Sequence, residues 1–145
     1  LFRSLAPYVD FWSVGTNDLT QYLLAVDRNN ARVAQMYDGL HPAVLRALQQ
    51  IVHTANQQAK PVSVCGELAG DPVGVLILLA MGYRRFSMNL NNIAKIKYML
   101  RRVRTDALVP LLEQAIQLHD SVQIRKLFTT YLESVGLQGF FSKKA

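Results

Sequence analysis

Two polar blocks, each set between a short apolar run and a helix-like pattern, constrain this chain more than any other feature. The first is Gly15-Thr16-Asn17-Asp18-Leu19-Thr20-Gln21-Tyr22, continued by Ala25-Val26-Asp27-Arg28. The second is Cys65-Gly66-Glu67-Leu68-Ala69-Gly70-Asp71, opening 48 positions beyond Asn17 (65 − 17 = 48). Short apolar runs that stop at a glycine read as buried strands. Ionisable and hydrogen-bonding groups are therefore concentrated where strands hand over to helices, which is where parallel strands gather reactive side chains.

The first strand reads over residues 9–14. Thr16, Asn17 and Asp18 can cap a helix that runs to about residue 24, and the polar run 27–30 interrupts it. A short helix is expected over 31–37. A long one is expected over 42–58, with Pro42 in its first turn and Val44, Leu45, Leu48, Ile51, Val52 and Ala55 on one stripe. Residues 61–65 read as a second strand. Asp71 then caps a helix with Pro72 at its first position and Gly82 at its end. That helix is apolar nearly all round, so it should be buried on several sides. A third strand, interrupted by Arg84 and Arg85, is expected over 83–88. Helices over 92–104, 106–118 and 121–135 follow, with Gly136 as a stop and 136–145 as a flexible tail.

Strand–helix alternation of this kind argues a parallel α/β sheet with right-handed crossovers. Three strands alone leave open edges and an uncovered face. A (β/α)8 TIM barrel typically needs ~250 residues. Residues 1–135 are therefore expected to be the C-terminal part of such a barrel, three βα units (strands six to eight), followed by extra C-terminal helices. A small three-stranded doubly wound domain is the alternative. The chain opens at Leu1, inside an apparent element, so a piece of a larger protein is expected.

Half of the residues are hydrophobic, enough for a sizeable core. A single cysteine excludes an internal disulfide and fits a reducing, cytoplasmic setting. No run reaches membrane-spanning length, and no signal-peptide pattern is present, so no membrane insertion is expected. The net charge of +6 comes largely from Lys95, Lys97, Arg101, Arg102 and Arg104, with Lys143 and Lys144. Without aromatic interleaving, that cluster reads as the solvated face of a helix rather than a nucleic-acid surface.

The residues leave several roles open. Asp18 offers a carboxylate to a hard cation such as Mg²⁺, and Asn17 offers both an acceptor and a donor; a helix cap uses the same groups. Arg28 can hold a phosphoryl group through its fork, or simply pair with Asp27 or Asp38 on the surface. Cys65 can serve as an acid, a base or a nucleophile, or be a packed thiol. His41, His53 and His119 match no metal-ligand spacing and are assigned structural or surface roles. Tyr22, Trp12 and the methionines are assigned to packing.

Together the two blocks, with Phe86-Ser87-Met88-Asn89, resemble the C-terminal domain of phosphoenolpyruvate-utilising enzymes. Within that group the likeness is to the Enzyme I family of the bacterial phosphotransferase system, the phosphoenolpyruvate–protein phosphotransferases. The run from Val26 to Ala34, with Leu40-His41-Pro42-Ala43, is most similar to the nitrogen-related branch rather than the sugar-transport branch.

That resemblance implies a transferase in which phosphoenolpyruvate and Mg²⁺ bind at a barrel mouth. The phosphoryl group passes to a histidine on a separate N-terminal domain, then to an HPr-like phosphocarrier protein, and pyruvate is released. By matching positions, Asp18 ligates Mg²⁺, Asn17 contacts the substrate phosphate and Arg28 holds the phosphoryl oxygens. Cys65 protonates the methylene carbon, while Gly66 keeps the backbone clear. The family also implies a homodimer through this domain, to which residues 31–37 can contribute. It draws a second carboxylate ligand and further arginines from earlier strands, so the isolated segment is expected to be inactive. The competing readings are another Mg²⁺-dependent phosphoenolpyruvate or pyruvate barrel enzyme (pyruvate phosphate dikinase, phosphoenolpyruvate synthase or a carbon–carbon lyase), and a dimerisation module without catalysis of its own.

Overall fold

The computed structural model describes residues 2–138. A short helix, α1 (Phe2–Leu5), and a 3-10 turn (Ala6–Tyr8) lead into strand β1 (Trp12–Gly15). Helix α2 (Thr16–Leu24) follows it directly, and α3 (Pro42–Gln57) crosses back to strand β2 (Val62–Cys65). Then come a 3-10 turn (Glu67–Ala69) and helices α4 (Pro72–Met81), α5 (Leu90–Leu100), α6 (Thr105–Gln117) and α7 (Ser121–Ser134).

β1 and β2 are parallel and in register from Trp12 opposite Val62 to Gly15 opposite Cys65. Trp12 and Val14 are buried while Ser13 is exposed, the alternation of a strand with one covered face. β1 is shorter than the expected 9–14 because Asp10 and Phe11 face solvent. The third strand expected over 83–88 contracts to one parallel bridge, Val64 with Phe86. It is held by Val64 N–H donating to the Arg85 carbonyl at 3.0 Å and Ser87 N–H donating to the Val64 carbonyl at 2.8 Å. β2 offers only four residues, and the Arg84 side chain at the start of the expected strand donates to the Leu79 and Tyr83 carbonyls.

The core lies between this small sheet and the helices. The predicted stripe of α3 is buried throughout: Val44, Leu45, Leu48, Ile51, Val52 and Ala55. α4 is enclosed on nearly all sides, as its apolar composition requires, with Val73, Val75, Leu76, Ile77 and Leu78 all buried. α6 contributes Leu108, Leu112 and Ala115, and α7 contributes Ile124, Phe128 and Leu132. Tyr83 is fully buried and its hydroxyl donates to the Leu48 carbonyl at 2.9 Å.

Several expectations change. Residues 31–37 form a turn and a 3-10 segment, Ala34–Met36, rather than a helix, because asparagine and aspartate side chains bond their own loop. Asn30 Oδ1 accepts from Arg32 N–H, and Asp38 Oδ1 accepts from Leu40 N–H. Tyr22 does not pack; it is 87% exposed. Trp12 and Met99 are buried, but Met36 is exposed. At Gly136 (φ 76) the chain reverses, with Gly136 N–H donating to Glu133 and Leu137 N–H to the Leu132 carbonyl, and Leu137 is buried. The expected tail is thus anchored at Leu137, and from 139 onward it lies outside the described residues. Lys97 on α5 and Arg101 and Arg102 just beyond its end are exposed, with the Arg102 guanidinium 3.5 Å over the Tyr98 ring. No described helix is long and apolar enough to cross a membrane.

Candidate active site

The parallel register ends both strands at one level, with Gly15 beside Cys65. Both polar blocks therefore begin on the same rim of the sheet. Three hydrogen bonds then tie them together. The Thr16 hydroxyl donates to the Cys65 carbonyl at 2.7 Å. The Glu67 N–H donates to Asn17 Oδ1 at 3.1 Å, and Arg28 Nη1 donates to Glu67 Oε1 at 3.0 Å.

These partners settle two local alternatives: which group caps α2, and which carboxylate Arg28 meets. α2 takes Gly15 as its N-cap with no side-chain capping bond, so none of Thr16, Asn17 and Asp18 serves as the cap. Thr16 is instead buried against the second block, and Thr20 donates back to the Thr16 carbonyl at 2.8 Å. Arg28 pairs with neither Asp27 nor Asp38. Its partner is Glu67, 39 positions away, because the loop after α2 folds over the second block.

Asn17 is oriented from two sides, since its Oδ1 also accepts the Tyr37 hydroxyl at 3.1 Å. With the carboxamide oxygen accepting two donors, the amide –NH2 is the end left for a bound anion. Burial, and then the nearby Glu67 carboxylate, raise the Tyr37 phenol above its ordinary value, while Arg28 acts in the opposite direction. The phenol is accordingly a proton donor throughout the neutral range.

Asn17, Cys65, Gly66 and Glu67 line one open cleft of about 440 Å³, together with Ser87, Met88, Asn89 and Asn92. The Cys65 thiol is partly buried, with Sγ 3.6 Å from the Val14 carbonyl. Gly66 holds φ 101, and a Cβ there would stand 2.5 Å from Thr16 Oγ1 and 3.0 Å from Asn17 Oδ1. Only glycine lets the backbone pass this close to the first block.

Asp18 is exposed on the same rim, and its charge acts on the Tyr37 phenol. Mg²⁺ sites commonly take one or two carboxylates and complete the shell with water and phosphate oxygens. Asp18 fits as one such ligand; Glu67 is already engaged by Arg28, and the described residues include no group of three candidate metal ligands.

Sequence reasoning brought Asn17, Asp18, Arg28 and Cys65 forward but gave no role to Glu67, which bridges Arg28 and Asn17, and none to Tyr37 beyond a contact surface. Their signal was position alone. Glu67 sits inside the second block, and Tyr37 ends the loop that returns towards the first.

A family described as PEP-utilising enzyme, PEP-binding domain, matches residues 1–105. The chain is 46% identical over 135 residues to a "Phosphoenolpyruvate-dependent phosphotransferase system" protein of Salmonella typhimurium, covering 93% of this chain and 18% of that protein. It is 46% identical over 123 residues to a "Multiphosphoryl transfer protein" of Xanthomonas campestris pv. campestris, covering 85% of this chain and 15% of the relative. It is 41% identical over 130 residues to a "Phosphoenolpyruvate-protein phosphotransferase" of Haemophilus influenzae, covering 90% and 23% respectively. The chain spans about a fifth of the length of these relatives.

Proposed function

This chain belongs to the PEP-utilising enzymes, matching their PEP-binding domain over most of its length, and from that premise we propose that it forms one rim of the site of a phosphoenolpyruvate–protein phosphotransferase. The observation that carries the reading is the shared cleft of Asn17 and Cys65, locked by the Thr16–Cys65 bond.

In this reading the Asn17 amide and the Arg28 guanidinium bind and orient the phosphoryl oxygens. The phosphorus–oxygen bond of phosphoenolpyruvate breaks and a phosphorus–nitrogen bond forms on a histidine of another domain. The enolate left behind takes a proton at its methylene carbon from the Cys65 thiol, giving pyruvate, and the thiolate regains a proton from solvent. Asp18 would hold Mg²⁺, whose charge offsets that of the phosphoryl and enolate oxygens when it is bound. Glu67 keeps Arg28 in place between turnovers.

Two features support the closing part of a TIM barrel over a doubly wound sheet. β1, β2 and the Phe86 bridge are neighbours in sequence order, whereas a doubly wound sheet reverses its order at a switch point. β1 also pairs on one side only among the described residues, beside exposed Tyr8 and Phe11, which suits further strands of the same barrel. An HPr-like phosphocarrier as acceptor, the nitrogen-related branch, a cytoplasmic setting and a homodimer through this domain follow from the same family. In the dimer Met36, 61% exposed, is the better contact, because the Tyr37 hydroxyl is turned onto Asn17.

Cys65→Ala in the complete protein that carries this chain tests the reading. Pyruvate release should fall about 10²-fold or more, as for loss of a positioned general acid, with phosphoenolpyruvate binding largely retained. Undiminished release would leave Cys65 a packing residue. The 145-residue chain by itself should release no pyruvate when Mg²⁺ and a carrier protein are added.

A further inference from the structure

Arg125 lies on α7, 20 positions beyond the last residue of the family match (125 − 105 = 20). Its guanidinium nevertheless reaches the second signature block. Nη2 stands 3.0 Å from Asp71 Oδ2 and Nη1 stands 3.3 Å from Asp71 Oδ1, a two-pronged pairing across 54 positions.

Asp71 links the loop of the second block to α4. Its N–H donates to the Glu67 carbonyl at 3.0 Å, and its Oδ2 accepts from Gly74 N–H at 3.3 Å as the N-cap of α4. Capping alone requires one acceptor oxygen, which asparagine supplies equally well. The second oxygen accepts from Arg125, and the negative charge favours both the guanidinium and the N-terminus of α4. α7 is itself rigidly seated, with Ile124 and Phe128 fully buried on either side of Arg125 in sequence. The fork therefore joins a fixed helix to the C-terminal end of the loop, whose N-terminal end is held by the bonds of Glu67 to Asn17 and Arg28.

Glu67 connects this clasp to the chemistry. It borders the cleft that holds Cys65 and also a second cavity of about 160 Å³ lined by Thr16, Thr20, Tyr37, Asp71 and Arg125. Movement of Asp71 would shift the Glu67 carbonyl, and with it the Glu67 N–H that orients Asn17. The pair is partly exposed, with Arg125 half in solvent, so it adds little to global stability and its effect is on local order.

We propose that Arg125 is a positioning residue: through Asp71 it holds the loop from Gly66 to Asp71 in register with the first block. Its effect on turnover rests on the phosphotransferase reading, whereas its effect on the loop does not.

The test compares Arg125→Ala, Arg125→Lys and Asp71→Asn in the complete protein, the last keeping the α4 cap while removing the charge. The amides of Glu67, Ala69, Gly70 and Asp71, all hydrogen-bonded, report the loop by hydrogen exchange, and iodoacetamide alkylation of Cys65 reports its thiol. All three variants should exchange these amides and alkylate Cys65 roughly three- to tenfold faster, with the interior of α4 and the melting temperature unchanged. Arg125→Lys should lie between wild type and Arg125→Ala. Pyruvate release per folded molecule should fall by a similar factor, with KM for phosphoenolpyruvate changing less than kcat. Unchanged exchange and alkylation overturn the proposal, as does a loosened loop with undiminished turnover in an active enzyme. A wild-type protein that releases no pyruvate defeats the phosphotransferase reading alone, and the exchange data still decide whether Arg125 positions the loop.

Discussion

The Thr16 hydroxyl donates to the Cys65 carbonyl at 2.7 Å, across 49 positions of sequence. It turns two strand ends that share a register into a single unit, because Thr16 opens α2 while Cys65 closes β2. The bond is partly buried, so its loss would leave the carbonyl without this partner in a poorly hydrated place.

Thr16→Val keeps the shape and removes the donor. It should lower unfolding free energy by about 1–2 kcal/mol, the cost of a buried acceptor left unpaired. Urea denaturation measures this, and an unchanged midpoint would show that water replaces the hydroxyl.

Tyr37→Phe deletes one of the two donors that orient Asn17. The amide then turns more freely, and in the proposed phosphotransferase the complete protein's KM for phosphoenolpyruvate should rise roughly threefold to tenfold, in line with one hydrogen bond of about 1 kcal/mol. Steady-state pyruvate release at saturating carrier protein reads this directly. Stability should hardly change, since the ring is only partly buried.

Gly66→Ala meets two obstacles, a backbone at φ 101 and a Cβ position 2.5 Å from Thr16 Oγ1. The strained φ alone costs about 1–3 kcal/mol. Thermal unfolding should therefore come earlier, and activity should fall further than stability because Asn17 is displaced as well.

Tyr83 sets an alkaline limit. Burial pushes its phenol well above the ordinary value of 10.0, whereas the unfolded chain ionises near that value. Above pH 10 the unfolded state binds fewer protons than the folded one, so stability falls as pH rises. Below pH 10 the contribution is complete. Urea midpoints measured across that range should decline for the wild type and decline less steeply for Tyr83→Phe. The variant should also lose about 1 kcal/mol at neutral pH, where the Leu48 carbonyl loses its donor.

The helices were legible because their signals are local. The 3.6-residue stripe of α3 and the all-round apolar surface of α4 are written in consecutive residues, and so is the Asp71-Pro72 start. Each is seen in the fold with its expected burial. The two blocks were likewise legible as the ends of strands. Local signals failed where distant groups compete for the same atoms. Thr16 and Asn17 look like caps to any reading of α2 alone, but the second block takes both side chains. The third strand, expected over 83–88 with Arg84 and Arg85 interrupting it, contracts to the Phe86 bridge beside a β2 of only four residues.

What the sequence determined by itself was which chemistry is present: a carboxamide, a carboxylate, a guanidinium and a thiol, each placed just beyond an apolar run. Whether those groups meet was decided only by tertiary structure. The pairing of Gly15 with Cys65 is a hydrogen-bond register between segments 50 positions apart (65 − 15 = 50), and no nearest-neighbour preference encodes it. The same holds for Arg28, which passes over Asp27 next to it and Asp38 in favour of Glu67. An ion pair forms with the charge that the folded backbone brings near, and nearness along the chain does not determine it.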